Sequence, residues 1–439
     1  MKPKTRIYDT LLAEHLAKQR QMAFISGPRQ VGKTTTCRVH GDTYIDWDNI
    51  DDREFILAGP ARLIDQFKLD RLSRTPPVVI FDELHKFPRW KRFLKGFFDT
   101  YADRLRIIVT GSSRMDVYRR GGDSLMGRYF LYRMHPFSVA ETLTQEIPDE
   151  KRIIRQPKKV SPANFNALWN HGGYPEPFLK RDMRFSRRWQ SLRLEQLVRE
   201  DIRDLTQIQQ LDQLELLVKL LAERSAHQLI YGNLANDVRV SIDTTRRWID
   251  ILVSLHLGFL IRPWFKNVSR SLRKEPKWFL RDWASIKDQG DKAETFVACH
   301  LLKAVEGWND MGLGKFELGY LRDKEKREVD FLVVVQFATA RIPCGVDVPD
   351  PLPILFDAAN DIAIHDLHVV DVEQQLHPRR VDLADQLDAV VDVIAVVTGV
   401  AFHRVGVVAR VEVLEHKIHL LLLRVRNHLL QTLEAVAVG

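Results

Sequence analysis

The sequence predicts an α/β protein built on a parallel sheet with helices on both faces, followed by a mainly helical region and a smaller α/β region. Up to Met134, short apolar runs alternate with helical stretches, which is typical of parallel strands covered by helices. Beyond about Ser161, amphipathic runs at helical spacing dominate, as in 188–203 and 211–223. A predicted hairpin over 320–326 marks the smaller region.

The individual elements follow from runs of apolar residues and from their spacing. Apolar residues at helical spacing predict a first helix over 8–20, and a further helix is predicted over 90–101. Short apolar runs predict five strands, at 22–26, 43–47, 77–81, 106–110 and 128–134.

Composition bounds the class of protein. The chain has 439 residues, 45% of them hydrophobic and 28% charged, so two or three domains with real cores are expected. The longest uncharged apolar run, 393–402, has about half the length that a helix needs to cross a bilayer. The three cysteines are far apart with no C-x-x-C pair, which argues against a disulfide framework or a structural zinc site. We therefore expect a cytoplasmic protein with no membrane partner.

Charge and residue usage change abruptly near Phe337. Residues 1–336 hold 58 Lys and Arg against 44 Asp and Glu, a net charge of +14, whereas the rest of the chain holds 8 against 14. The basic part favours polyanionic partners such as nucleotides or nucleic acid. We predict four parts: 1–160, 161–275, 276–336 and an atypical tail over 337–439. A separate domain, a frameshifted reading frame or a poorly folded segment would each explain the tail.

The strongest motif follows the first predicted strand. Residues 27–34, GPRQVGKT, match G-x-x-x-x-G-K-[ST], a loop whose backbone N–H groups cradle phosphates ahead of a helix. Lys33 supplies a charge for the β- and γ-phosphates, and Thr34 a hydroxyl for Mg²⁺. The predicted nucleotide-binding residues of the loop are Gly27, Pro28, Arg29, Gln30, Val31, Gly32, Lys33, Thr34 and Thr35.

A second motif fits the first. The apolar run 78–81 ends in Asp82 and Glu83, which a parallel sheet would bring to the same edge as the loop. Asp82 is the predicted partner of Thr34 in the Mg²⁺ shell, and Glu83 would polarise the attacking water. A helix cap is the structural alternative for these acids.

Two further sets of polar residues are candidates for the γ-phosphate. Thr110 ends the fourth predicted strand, and Ser112 and Ser113 follow it. These residues could contact the γ-phosphate, or they could cap the next helix. Arg114 and Arg128 are candidates for an arginine finger, with a surface role as the alternative. From these groups we select Ser112 and Arg128 as catalytic residues, together with Lys33 and Glu83.

Four segments in this order, GPRQVGKT, VVIFDELHKFPRWKRFLK, VTGSS and DSLMGRYFLYRMHPFS, resemble prokaryotic AAA-type P-loop ATPases with a C-terminal domain of unknown function. The likeness covers about residues 5–336 and includes HGGYPE at 171–176 and EDIRDL at 200–205. It implies a P-loop NTPase sheet and ATP as the ligand; no guanine-reading Asn/Thr-Lys-x-Asp motif follows the third strand. In that family the proline of the Gly-Gly-aromatic-Pro element lies against the base, so the resemblance assigns this role to Pro175.

The C-terminal region contains two weaker patterns. Residues 234–252 have the spacing of a helix-turn-helix, with Ser241 as the cap of a second helix that carries Arg246 and Arg247. That winged-helix-like unit would bind DNA or would only pack against protein. Glu294 and Asp330 resemble the first two acids of restriction-endonuclease-like folds, but the Glu-x-Lys of the next strand is missing. We therefore expect a degenerate nuclease region with no nuclease activity.

Taken together, these patterns predict a Mg²⁺-dependent ATPase in which nucleotide state moves the C-terminal helical region. The alternative is an ATP-switched DNA-binding protein that uses the helix-turn-helix and the basic surface.

Overall fold

The computed structural model describes residues 4–69, 75–111, 125–149, 153, 158–197, 210–264, 274–322 and 328–336. The tail that the sequence sets apart from residue 337 onward lies outside these ranges. Within them, none of the helices combines the length and the apolar character needed to cross a membrane.

Five parallel strands form the first sheet. They are β1 (Met22–Ser26), β2 (Thr43–Asp46), β3 (Val78–Asp82), β4 (Arg106–Thr110) and β5 (Tyr129–Arg133). Their order is β2-β3-β4-β1-β5, and each neighbouring pair is parallel. The predicted parallel sheet is therefore confirmed, and the carboxyl ends of β1, β3 and β4 lie side by side.

Helices cover both faces of this sheet. They are α1 (Ile7–Lys18), α2 (Lys33–His40), α3 (Ile50–Ala58), α4 (Pro60–Phe67) and α5 (Trp90–Tyr101). Helix α6 (Val139–Leu143) follows β5 and packs in the apolar core of the C-terminal region. Successive side chains of a strand point to opposite faces. Phe24 of β1 accordingly joins the apolar core with α5, whereas Ile25 joins the core with α1 and α2.

The region beyond residue 158 contains seven further helices and five strands among its described residues. The helices are α7 (Pro162–His171), α8 (Pro175–Lys180), α9 (Met183–Gln196), α10 (Leu211–Ala222), α11 (Tyr231–Val238), α12 (Ile242–Ser254) and α13 (Gln289–Asp310). The strands are β6 (His227–Gln228), β7 (Gly258–Pro263), β8 (Lys277–Leu280), β9 (Lys315–Arg322) and β10 (Glu328–Gln336).

These strands form one sheet in the order β10-β9-β7-β8-β6. Strand β7 pairs antiparallel with β8 on one side and parallel with β9 on the other. The sheet therefore crosses the expected boundary at 275/276 and joins two regions that the sequence separates. The segment 161–275 contains the strands β6 and β7 beside its helices.

The two regions share an apolar core. Phe137 and Val139, which follow the first sheet, belong to the same cluster as Phe296 and Val297 of α13 and Phe331 of β10. Helix α13 also packs along β5. This long helix is therefore the element of the C-terminal region that lies against the first sheet.

Candidate functional site

The loop between β1 and α2 adopts a backbone that only glycine fits at two points. Gly27 has φ 147° and Gly32 has φ 100°. A Cβ atom on Gly27 would stand 2.3 Å from the carbonyl oxygen of Met134. The loop thus curls against the segment after β5, and α2 begins at Lys33 with its N-terminus at the loop.

Lys33 is buried at the base of this loop. Its Nζ donates hydrogen bonds to the carbonyl oxygens of Gly27 at 2.8 Å and Pro28 at 2.9 Å. Burial lowers the pKa of the ammonium to about 8, and the acids Glu83 and Asp82 oppose part of that shift.

Asp82 stands at the carboxyl end of β3 and gathers three hydroxyl groups. Thr34 and Tyr44 each donate a hydrogen bond of 2.7 Å to its Oδ2, and Thr110 donates one of 2.7 Å to its Oδ1. Strand β4 lies between β1 and β3, which brings Thr110 to this carboxylate. A carboxylate and a hydroxyl side by side are oxygen donors of the type that Mg²⁺ takes, so these residues fit a Mg²⁺–nucleotide.

Glu83 follows Asp82 in a left-handed conformation with φ 52°. Its carboxylate lies 3.4 Å from the Nζ of Lys86 and 3.7 Å from the Nε2 of His85. Burial raises the pKa of Glu83, although Lys86 and Lys33 oppose the shift. A carboxylate with a raised pKa is the better proton acceptor, as a residue that activates water requires.

The remaining loop residues play different parts. Val31 is fully buried in the core, and Pro28 has no backbone N–H to donate. The side chains of Arg29, Gln30 and Thr35 are exposed. Gln30 has φ 62°, a conformation that is uncommon outside glycine. The backbone of the loop, more than its side chains, is thus available to an anion.

The structure does not bring Arg128 to this site. Its carbonyl accepts from the N–H of Met22, at the amino end of β1, and its guanidinium pairs with Asp99 at 2.7 and 2.9 Å. The phosphate loop lies at the opposite, carboxyl edge. Strand direction therefore puts Arg128 on the other edge of the sheet, and its role as an arginine finger stays a prediction. Ser112 and its neighbours Ser113 and Arg114 lie outside the described residues.

Pro175 reaches the loop from the C-terminal region. Its Cγ lies 3.6 Å from the point where a Cβ of Gly32 would stand. The preceding glycines permit a close approach: a Cβ on Gly173 would lie 2.5 Å from the carbonyl oxygen of Phe137. The first residue of α8 thus forms part of the loop's surroundings.

Sequence reasoning missed Arg6, which precedes α1. Its Nη1 donates to the carbonyl oxygen of Val31 at 2.8 Å, and its Nε donates to Glu141 at 2.6 Å. The side chain is 3% exposed. No local motif marks this arginine, because both partners are distant in sequence.

A second polar cluster lies in the C-terminal region. The Nζ of Lys277 donates to Glu294 at 2.9 Å and to Asp330 at 2.8 Å, and all three side chains are buried. The two acids that the sequence singles out are thus brought together, around a lysine from β8 that the sequence did not indicate. Within the described ranges, no three His, Cys, Asp or Glu side chains converge as a metal site.

The helix-turn-helix pattern corresponds to α11 and α12. Ser241 accepts a hydrogen bond of 3.1 Å from the N–H of Thr244 and so caps α12, as predicted from its position. Arg246 and Arg247 are exposed. The guanidinium of Arg246 lies 5.1 Å from the ring centre of Tyr231.

The fold and the loop define a P-loop nucleotide-binding protein, and comparison with known families agrees. Residues 19–143 match a family described as an AAA domain, and residues 162–286 match a domain of unknown function, DUF8612. Residues 19–143 are thus similar to an AAA domain, and residues 162–286 are similar to a domain of unknown function.

Two curated relatives are uncharacterized proteins of Mycobacterium bovis and Mycobacterium tuberculosis. Each is 24% identical over 265 residues, which is 60% of this chain and 54% of the relative. The chain thus spans about half the length of these relatives.

Solved structures with partial similarity include Aeropyrum pernix Orc1 in complex with DNA and a RuvB variant of Thermotoga maritima. The first has 12% identity and a TM-score of 0.29, with 66% of this chain and 91% of that chain covered. The second has 14% identity and a TM-score of 0.25, with 58% and 86% covered.

Proposed function

We propose that this chain is a Mg²⁺-dependent ATPase whose nucleotide state is transmitted to the C-terminal region. The observation that carries the proposal is the 2.7 Å hydrogen bond from Thr34 to Asp82. It joins the end of the phosphate loop, which follows β1, to the acid at the end of β3, two positions from β1 in the sheet.

In the proposed reaction each residue has one task. The loop N–H groups and Lys33 bind the β- and γ-phosphates, and Thr34 and Asp82 would hold a Mg²⁺, which would neutralise charge on the phosphates. Glu83 orients the attacking water and takes up its proton. Thr110 keeps Asp82 in place, and Ser112 remains a proposed contact of the γ-phosphate.

Adenine is the proposed base. Pro175 lies beside Gly32 and offers an apolar ring at the loop, which supports the contact with the base implied by the family resemblance.

The test is ATP turnover by the full chain, with and without Mg²⁺. We expect turnover that needs Mg²⁺ and falls by about 100-fold or more in Glu83→Gln, because water activation is worth about 10²–10⁴ in rate. The matched control is Glu54→Gln, which changes an exposed glutamate on α3. Turnover equal to the wild type in Glu83→Gln would reject the assigned role.

A second function is favoured by one arrangement. The order α10, β6, α11, α12, β7, β8, with β6 and β7 both antiparallel to β8, supports a winged-helix unit that exposes Arg246 and Arg247. Such a helix would place its arginines on DNA phosphates. Under this alternative, ATP would switch DNA binding.

Salt dependence separates the two functions. DNA binding through arginines should weaken steeply as the salt concentration rises. The double change Arg246→Ala and Arg247→Ala should reduce the slope of log binding constant against log salt concentration by about two, one for each phosphate contact. If DNA neither binds nor alters ATP turnover, the DNA-switch alternative fails while the ATPase proposal stands.

A further inference from the structure

Arg6 connects the phosphate loop with helix α13 through buried contacts. Its guanidinium bonds the carbonyl of Val31 in the loop and, through Nε and Nη2, both carboxylate oxygens of Glu141 at 2.6 and 3.2 Å. On its other side Glu141 is paired with Lys303 of α13. We call these residues the Arg6–Glu141–Lys303 cluster.

The cluster is held rigidly. Glu141 is 1% exposed, and the N–H of Ile7 also donates to it at 3.0 Å. The Nζ of Lys303 donates further to the carbonyl of Pro136 at 2.9 Å. Burial opposes the charged form of Glu141, but Arg6 and Lys303 outweigh it and lower its pKa to about 2. The carboxylate is therefore charged and fixed between the two cations.

A second contact of Arg6 leads to the same helix. Its Nη2 donates to the carbonyl oxygen of His135 at 2.7 Å. The Nε2 of that histidine lies 2.6 Å from Glu306 Oε2 on α13. Arg6 thus touches the phosphate loop and two groups that each contact α13, one turn apart at Lys303 and Glu306.

The loop is the part of the site that must adjust when phosphates arrive. Lys33 now bonds the carbonyls of Gly27 and Pro28, and these bonds compete with any phosphate for the same ammonium. Rearrangement of the loop would move the Val31 carbonyl against a guanidinium whose other donors are fixed. Packed cores change between discrete arrangements, so a shift of the loop would be carried to the groups that contact α13.

We infer that Arg6 is a positioning residue that holds the phosphate loop and transmits nucleotide occupancy to α13 through Glu141 and Lys303. The inference rests on the proposed function, since it needs a nucleotide at the loop. Arg6 itself touches no reacting atom.

The experiment measures two quantities on the full chain, the Kd for ATP and the ATP-induced change in hydrogen exchange of the α13 amides. Arg6→Lys keeps a positive charge beside Glu141, but an ammonium cannot reproduce the several hydrogen bonds of the planar guanidinium to Glu141 and to the carbonyl of Val31. Lys303→Met removes the ion pair between Glu141 and α13 and keeps the hydrogen bond of Arg6 to Val31 in the loop. Lys287→Met, an exposed lysine just before α13, is the matched control.

We expect ATP to change exchange in α13 of the wild type and of the control. Arg6→Lys should bind ATP about tenfold more weakly, the loss of one charge-assisted hydrogen bond, and lose the response in α13. Lys303→Met should bind ATP within about twofold of the wild type and also lose the response. Melting curves check that each variant is folded.

Each contrary result has a defined meaning. If the wild type binds ATP and α13 does not respond, or if both variants respond as the wild type does, the inference is wrong and the proposed function stands. If the wild type does not bind ATP at all, the proposed function fails and the inference fails with it.

Discussion

Lys277 offers a sharp test of whether the cluster in the C-terminal region is structural. Its ammonium donates to Glu294 and Asp330 at 2.9 and 2.8 Å, with all three residues at most 4% exposed. A hydrogen bond between charged groups contributes about 1.5–3 kcal/mol. Removing the lysine would also leave two carboxylates buried side by side, so Lys277→Met should lower the unfolding free energy by about 3–5 kcal/mol.

The assay is urea unfolding followed by tryptophan fluorescence, since Trp278 is the next residue and is fully buried. Lys287→Met is the control, because an exposed lysine should change stability by no more than about 0.5 kcal/mol. Mg²⁺ at millimolar concentration should not stabilise the wild type in the absence of nucleotide, because the ammonium already stands between the acids.

The structural interpretation would be refuted if Lys277→Met were destabilised by less than about 1 kcal/mol. It would also be refuted if Mg²⁺ alone stabilised the wild type and an Asp330→Asn change removed that effect. Either result would reopen a metal-dependent reaction at this cluster, which the absence of the Glu-x-Lys pattern argues against.

Three further predictions concern the ATPase region. The pKa of Glu141 is about 2 in the folded chain against 4.5 ordinarily, so its charge contributes about 3 kcal/mol to the free energy of unfolding above pH 4.5, and this contribution is lost as pH falls toward 2. Glu141→Gln should therefore lose less stability than the wild type on acid titration. An equal loss of stability in the two proteins would contradict this. The pKa of Lys33 is about 8, so the Kd for ATP should rise as pH increases through 8; a flat profile from pH 7 to 9.5 would disprove it. Thr34→Ala should bind ATP equally with Mg²⁺ and with EDTA, and a remaining Mg²⁺ effect would show that the hydroxyl is dispensable.

Much of the candidate site could be predicted because its parts are contiguous in sequence. The phosphate loop needs glycines at fixed positions, and an apolar strand that ends in acids can be recognised from the sequence alone. Parallel strands bring Asp82 and Thr34, 48 residues apart in sequence, to the same edge of the sheet, where they share a hydrogen bond. The five strands of the first sheet were predictable for the same reason.

The rest could not be predicted because its contacts are long-range and have no local pattern. Arg6 and Glu141 are 135 residues apart, and Lys277 and Asp330 are 53 apart. The strand next to Arg128 was predicted, but the pairing of its guanidinium with Asp99, 29 residues away in sequence, was not. The strand order of the second sheet could not be predicted, in part because β6 has two residues, too few to show a periodicity.

Equilibrium binding of a fluorescent ATP analogue to the wild type and to Lys33→Ala tests the central idea most directly. Loss of a buried ammonium that contacts phosphate should cost about 2–5 kcal/mol, which corresponds to at least about 30-fold weaker binding. Lys18→Ala, at an exposed lysine of α1, serves as the control. We predict tight binding by the wild type and the control and severe loss in Lys33→Ala; equal affinity of all three proteins would contradict the account.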